Sequence, residues 1–372
     1  MGRAEVAGAA SPTAPPLWAE IGERRHPVYV GSGLLDALGA LWAERAAGDA
    51  VLLAYDRGAT PLAERASASL EARGFRVVPA PVPAGEGSKR LAELERLARL
   101  AAAEGLRRAD AVVALGGGVV GDLAGFLAAS YQRGVRLVQV PTTLLAMVDS
   151  AVGGKTGVDL PEGKNYVGAI WQPELVVMDV DALGTLPAVE LATGFAEVVK
   201  YGLLEGGELL ALVEAWPELP GPRAALVDLI RRCVALKLAV VAEDERDLGR
   251  RAVLNLGHTV GHGIEAAGGY RRHRHGEAVA LGLLAALRVS VAHAGLDERW
   301  RERTKVVLAR HDLPVRLGPE VATAAVMEAL ERDKKADGRA LNMVLLHAPG
   351  EPLIRTNPPR EAVVGAIEEL RT

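Results

Sequence analysis

Four of the chain's eight histidines fall within eighteen residues: His258, His262, His273 and His275. They stand in Asn255-Leu256-Gly257-His258-Thr259-Val260-Gly261-His262 and His273-Arg274-His275-Gly276-Glu277. His258 and His262 are one helical turn apart, the spacing that lets two imidazoles face one ion. A lone histidine is more often a packed core residue. A cluster of four points to one divalent metal, with ligands drawn from these histidines and a distant carboxylate. Spacing does not choose among them. A second constellation is Glu197-Val198-Val199-Lys200, where a carboxylate and an ammonium share a helix face. On a polar helix this would be a solvated ion pair. Here Phe195, Ala196, Val198, Val199 and Leu203 make the segment apolar all round, and charges in such a setting are paired or bound to a metal.

Other segments suit anions. Lys237 and Arg251 add cations upstream of the histidines, which fits an anionic substrate, though two solvated surface charges would look the same. Between Asp149 and Asn165, two lysines (Lys155, Lys164) and two aspartates (Asp149, Asp159) surround a glycine framework. Gly154-Lys155-Thr156 tempts a P-loop reading, but Asp149 stands where that motif needs its first glycine. A flexible surface loop is the plain reading; the density of polar groups favours a loop that binds phosphate or hydroxyls. In Leu115-Gly116-Gly117-Gly118-Val119-Val120-Gly121-Asp122 an apolar strand ends in three glycines and a helix follows at once. Such a turn brings backbone N–H groups and a helix N-terminus to a pyrophosphate, or is merely tight, and it lacks the spacing of the dinucleotide fingerprint. Gly85-Glu86-Gly87-Ser88-Lys89 and Pro141-Thr142-Thr143 are further candidates to close over a nucleotide. Asp56, ending an earlier strand, suits a ribose hydroxyl or a turn.

The elements that must carry these residues change character along the chain. Up to about residue 180, short β-branched runs (27–30, 50–55, 76–79, 111–115, 136–140, 175–180) alternate with amphipathic stretches such as 62–73 and 89–104. That alternation predicts an α/β fold with a parallel sheet flanked by helices. After Thr185 the stretches 189–204, 222–241, 254–267 and 276–294 read as helices, with a returning strand at 340–346. The expected organisation is a leader over 1–16, an α/β domain over 17–185 and a mainly helical metal- and substrate-binding domain over 186–372. Residues 1–16 are rich in Ala, Pro, Gly and Ser, without a signal peptide's apolar core, and read as disordered.

Bulk properties exclude little but point one way. A net charge of -4 and no basic tract give no sign of a nucleic-acid partner. The one cysteine, Cys233, excludes an internal disulfide and suits a reducing compartment, so the cytoplasm is expected. Runs such as 111–115 are too short to span a bilayer.

In order and spacing these blocks resemble the 3-dehydroquinate synthase family, from about Asp56 to Gly350. The resemblance rests on Gly-Glu-x-x-Lys, Gly-Gly-Gly-x-x-Gly-Asp, Tyr-x-Arg-Gly, Pro-Thr-Thr, Asp-Ser-x-Val-Gly-Gly-Lys-Thr, Gly-Lys-Asn, Glu-x-x-Lys, Asn-x-Gly-His-Thr-x-Gly-His and His-Gly-Glu. It implies an NAD-dependent lyase of the shikimate pathway, in aromatic amino acid biosynthesis. Such an enzyme oxidises a sugar acid phosphate transiently, eliminates phosphate, re-reduces and closes a carbocycle by an aldol step. It implies zinc or cobalt on Glu197, His258 and His275, with His262 turned to the substrate phosphate. NAD would touch Asp56, Glu86, Lys89, Gly118, Val119, Val120, Gly121, Asp122, Thr142, Thr143, Lys155, Lys164, Thr185 and Glu190. Substrate would meet Asp149, Lys155, Asn165, Lys200, Lys237, Arg251 and Asn255. Arg133 resembles an arginine that reaches a neighbouring subunit's substrate, implying a homodimer, and Lys335 is a phosphate lysine. Two departures stand out: Val260 replaces the usual phenylalanine, and the basic Arg271-Arg272-His273-Arg274-His275 run makes His273 a rival ligand. A sister cyclase acting on a carboxylate-free sugar phosphate is the alternative, and a metal-dependent polyol dehydrogenase a more distant one.

Overall fold

The computed structural model describes residues 14–337 and 341–372, with backbone alone for 333–337. The expected leader falls mostly outside the described residues. In chain order the elements are β1 Leu17–Ile21, β2 Arg24–Gly31, α1 Leu34–Ala43, β3 Ala50–Asp56, α2 Thr60–Glu71, β4 Arg76–Val82, α3 Leu91–Ala103, β5 Ala111–Gly116, α4 Gly118–Ser130, β6 Arg136–Pro141, β7 Lys155–Leu160, β8 Gly163–Ile170 and β9 Leu175–Asp179. There follow α5 Ala188–Glu205, α6 Gly207–Glu214, α7 Arg223–Glu243, α8 His258–Ala267, α9 His275–His293, α10 Glu298–Arg310, α11 Thr323–Asp337, β10 Asn342–Ala348, β11 Glu351–Thr356 and α12 Arg360–Glu369. The chain divides into two compact units. The first runs to Leu186 and also takes in Pro222–Arg246; the second is Pro187–Gly221 with Asp247–Thr372.

The first unit is built on a seven-stranded sheet of order β1-β2-β9-β6-β5-β3-β4. All neighbours pair in parallel except the edge hairpin β1–β2. Strands buried on both faces read as continuous apolar runs, and β3 and β5 do so because helices cover both sides. Leu52, Ala54, Val112 and Ala114 face a core shared with Leu97 and Ala101 of α3 and Leu123 and Leu127 of α4. Their alternates Val51, Leu53 and Val113 are equally buried. From β3 the chain goes to β4 on one side and then returns to β5 on the other, so a topological switch point lies between β3 and β5.

The second unit is mainly helical, with the hairpin β10–β11. Helix α9 is long and apolar enough to cross a bilayer, but 72% of that stretch is buried inside the protein, as befits a core helix. The returning strand expected near 340–346 is β10, paired with β11.

Two sequence expectations need correction. The segment expected as one helix over 254–267 is a 3-10 turn Arg250–Asn255, then Leu256-Gly257, then α8 from His258. Gly257 has φ +81, a left-handed conformation that cannot continue a helix, so His258 becomes the first residue of α8. The polar segment after Asp149, read as a loop, is a π-helical turn Ala146–Ser150 followed by the antiparallel hairpin β7–β8. Val158 anchors that hairpin, being fully buried in the core beside α4.

Candidate active-site residues

In the second unit, Glu197 of α5, His258 of α8 and His275 of α9 each offer a ligand atom, all within 4.8 Å of one another. Both imidazole Nε2 atoms lie 3.3 Å from Glu197 Oε1. Its other oxygen is 2.5 Å from Lys200 Nζ, one turn further along α5. Glycine makes this convergence possible. A Cβ on Gly257 would lie 2.9 Å from Leu283 of α9, and one on Gly276 would lie 2.0 Å from the carbonyl oxygen of Thr193 on α5. The glycines of the two histidine motifs are therefore where helix backbones touch.

The donor set fits a divalent ion on its own chemistry. His258 Nδ1 faces the Leu256 carbonyl oxygen at 3.2 Å, and a carbonyl only accepts. His275 Nδ1 faces Glu265 Oε2 at 3.3 Å. With both Nδ1 atoms donating, a neutral ring keeps its lone pair on Nε2, and two such lone pairs point at a carboxylate oxygen. Only a positive centre reconciles three acceptors. A proton does so in the ion's absence: burial alone would depress His275, but its hydrogen bonds to Glu197 and Glu265 hold it up at about 10. Glu197 is fully buried, which would raise its carboxyl, yet Lys200 and the two imidazoles hold it well below the usual range. His273 belongs to neither group of ligand atoms that the described residues form.

In the first unit, the carboxyl ends of the parallel strands carry the nucleotide candidates. Asp56 ends β3, Gly116 ends β5 and Pro141 ends β6, so Asp56 and Gly116–Gly118 flank the switch point where open α/β sheets bind ligands. Helix α4 starts at Gly118 immediately beyond β5, aiming its first N–H groups, those of Gly118, Val119 and Val120, outward from the sheet edge. A Cβ on Gly118 would lie 3.1 Å from Ser150 Oγ. Thr142 is buried, its N–H bonded to the Gly116 carbonyl oxygen at 2.9 Å, and Thr143 Oγ1 accepts from Ala146. Asp56 caps its own turn, accepting from Gly58 N–H at 2.7 Å.

Lys89 ties two of these regions together. Its Nζ lies 2.6 Å from Asp122 Oδ2 on α4 and donates to Asn165 Oδ1 on β8 at 2.5 Å. Burial works against its charge, but Asp122, Glu86 and Asp159 outweigh burial and hold it above the usual lysine range. Lys237 of α7 donates to both the carbonyl and Oδ1 of Asp149, each at 2.6 Å. Lys164 lies 3.6 Å from Glu86.

The remaining candidates are placed as follows. Arg251 is buried, Asn255 and His262 are exposed, and the His262 ring centroid is 5.3 Å from that of His258. Thr185 donates to the Ala182 carbonyl oxygen at 2.7 Å, and Glu190 accepts from Arg274 at 3.3 Å. Lys155 opens β7 and is exposed, and Arg133 is exposed as the last residue of the helical turn Tyr131–Arg133. The side chain of Lys335 lies outside the described residues. Sequence reasoning missed Glu265, although His258, His262 and Glu265 stand at i, i+4 and i+7 on one helix face. It also missed the bonds of Lys89 to Asn165 and of Lys237 to Asp149.

The family models described as 3-dehydroquinate synthase N-terminal and C-terminal match residues 79–193 and 194–336. A 3-dehydroquinate synthase of Symbiobacterium thermophilum is 46% identical over 358 residues, 95% of this chain and 99% of the relative. Two solved structures align over nearly the whole chain. One is a 2-deoxy-scyllo-inosose synthase complexed with carbaglucose-6-phosphate, NAD+ and Co2+, at TM-score 0.85 and 25% identity, covering 95% of this chain and 99% of that one. The other is a 2-epi-5-epi-valiolone synthase of Streptomyces hygroscopicus subsp. jinggangensis with NAD+ and Zn2+ bound, at TM-score 0.84 and 27% identity, covering 94% and 98%.

Proposed function

The chain belongs to the 3-dehydroquinate synthase family, and from that membership we propose that it converts 3-deoxy-D-arabino-heptulosonate 7-phosphate to 3-dehydroquinate and inorganic phosphate. One observation carries the choice of substrate: identity is 46% to a 3-dehydroquinate synthase but 25% and 27% to two cyclases named for other products.

NAD, when bound, supplies a transient hydride acceptor, and a zinc or cobalt ion supplies Lewis acidity at the alcohol being oxidised. Glu197, His258 and His275 would hold the ion, and the strand ends with Gly118–Asp122, Thr142 and Thr143 would hold NAD. Lys237 and Arg251 grip the substrate carboxylate, Arg251 with a planar fork and Lys237 as a point charge already oriented by Asp149. His262, Lys155, Arg133 and Lys335 take the phosphate, whose departure needs positive charge around the leaving oxygens. Lys200, Asn165 and Asn255 bond the ring oxygens. Holding one molecule in a reactive pose through several steps replaces a dedicated base for each.

A homodimer completes the reading. Gln132 and Arg133 both adopt left-handed backbone, at φ 48 and φ 64. The Tyr131 hydroxyl and the Gln132 amide both donate to the Leu106 carbonyl oxygen, fixing this strained turn while leaving Arg133 exposed. Strain of about 1–3 kcal/mol per residue is commonly retained where it presents a functional group, and an arginine presented outward suits a partner subunit's phosphate. The cytoplasm, where a phosphorylated sugar acid and NAD are both at hand, is the proposed compartment.

The test is to incubate the purified protein with the heptulosonate phosphate, a metal ion and NAD far below the substrate concentration, and to identify the organic product. The expected result is 3-dehydroquinate in large excess over NAD, without accumulating NADH. Efficient cyclisation of sedoheptulose 7-phosphate with little activity on the heptulosonate would overturn the substrate assignment.

A further inference from the structure

Two groups of ligand atoms in the second unit share one residue. Beside Glu197, His258 and His275 stands a second set, His262, Glu265 and His275. A neutral imidazole has one lone pair and one N–H, so His275 cannot serve both sets as a ligand. Its Nε2 turns to Glu197 and its Nδ1 to Glu265, each at 3.3 Å.

We propose that Glu265 is a positioning residue of the metal centre: it accepts the Nδ1–H of His275, fixes that ring's tautomer and rotation, and so aims the Nε2 lone pair at the ion. Glu265 is 4% exposed, and an ionised carboxylate taken out of water stays charged only with donors around it. It lies on the same face of α8 as His258, so one helix carries both a ligand and the group that orients another ligand from α9. The two imidazoles are aimed by different devices. His258 leans on the Leu256 carbonyl, a main-chain acceptor that no substitution removes. His275 leans on a side chain, so its aim can be removed by mutation while both histidines remain. Carboxylate partners of this kind raise ligand basicity as well as fixing geometry.

The inference rests on the metal centre proposed above but not on the substrate, so it is tested without substrate. Co2+ affinity of the full-length protein is measured by competition with a chelator at one pH, and the visible spectrum of the bound cobalt is recorded. Glu265→Ala should weaken Co2+ by about 10–100-fold and shift the cobalt bands. Glu265→Gln, whose amide oxygen still accepts from Nδ1–H, should stay within about 10-fold of wild type and keep the wild-type spectrum. If the alanine variant does not fold, Glu265→Met fills the same space without an acceptor and carries the same expectation. Wild-type affinity and spectrum in a folded Glu265→Ala or Glu265→Met protein would reduce Glu265 to a packing residue. Loss of binding in Glu265→Gln, with normal binding in His258→Ala, would place the ion in the other group and overturn the proposal. Failure of the heptulosonate assay would leave this result standing.

Discussion

Substituting Gly276 by alanine tests whether helix contact, rather than side-chain choice alone, assembles the metal group. The new Cβ would lie 2.0 Å from the carbonyl oxygen of Thr193 and 2.6 Å from its carbonyl carbon. Comfortable contact is roughly 3.5 Å, so α9 must recede from α5 by about 1 Å or more. Gly276 follows His275 directly, and Glu197 lies one turn beyond Thr193 on α5. The displacement therefore falls on the His275–Glu197 span, now 3.3 Å. Overpacking of this kind costs about 1–3 kcal/mol. If that cost is relieved mainly by parting the ligands, Co2+ binding weakens by about 5–150-fold. The assay is Co2+ affinity with far-UV circular dichroism alongside. Gly365→Ala is the control, since a Cβ there meets nothing within 4 Å; it should leave Co2+ binding unchanged and stabilise by about 0.4–1 kcal/mol. Co2+ affinity within twofold of wild type in Gly276→Ala would refute the claim that this contact places His275.

Three further outcomes are expected. His275→Ala should lose metal and activity together while His273→Ala keeps both; metal analysis showing the reverse would exchange their roles. Arg251→Ala should retain NAD and metal but lose about 2–5 kcal/mol of transition-state stabilisation in kcat/KM toward the heptulosonate, and an unchanged kcat/KM would remove Arg251 from the carboxylate. His26, buried on β2 and beside Arg45 and Arg24, has its pKa lowered from 6.5 to about 4, chiefly by burial. The unfolded chain therefore takes up this proton first as pH falls, so stability is intact above 6.5 and declines by about 3 kcal/mol in total on the way down through 4. Urea titrations should show His26→Leu flattening that decline; an identical pH profile in the variant would show that other groups produce it.

Much of the site could be read from the chain because its groups sit in short blocks. The four clustered histidines point to a metal by type and number, and the glycines closing β5 mark a strand-to-helix turn without the spacing of the dinucleotide fingerprint. What spacing could not say is which imidazoles converge. One helical turn links His258 to His262, yet the atoms nearest Glu197 Oε1 belong to His258 and His275, because α8 and α9 approach through backbone at Gly257. That approach is tertiary, and periodicity along one helix carries no trace of it. The hairpin β7–β8 was hidden for a different reason: glycine and lysine density resembles a loop, and little more than Val158 and its cross-strand partner Val167 marks its inner face. Helix α1 escaped notice because its apolar stretch is short and lies between more obvious strands. Glu265 escaped because a carboxylate on a helix reads as solvated until its burial is known.

The first unit is discontinuous in sequence: the chain leaves it after Leu186 and comes back for Pro222–Arg246, which contains α7 and Lys237. During synthesis the sheet can close once β9 has emerged, but Asp149 waits for its lysine until about sixty more residues have left the ribosome, on the order of several seconds at usual elongation rates. Over that interval the polar turn at Asp149 lacks its Lys237 bonds, and the excursion through α5 and α6 must be completed without tangling. The same topology governs dissection. A fragment ending at 186 would carry every strand of the large sheet but not α7, whereas a fragment ending at 246 would include α7 together with an orphaned α5–α6 hairpin. No single cut yields either unit whole, so separating the two for study requires excising 187–221 and bridging the gap.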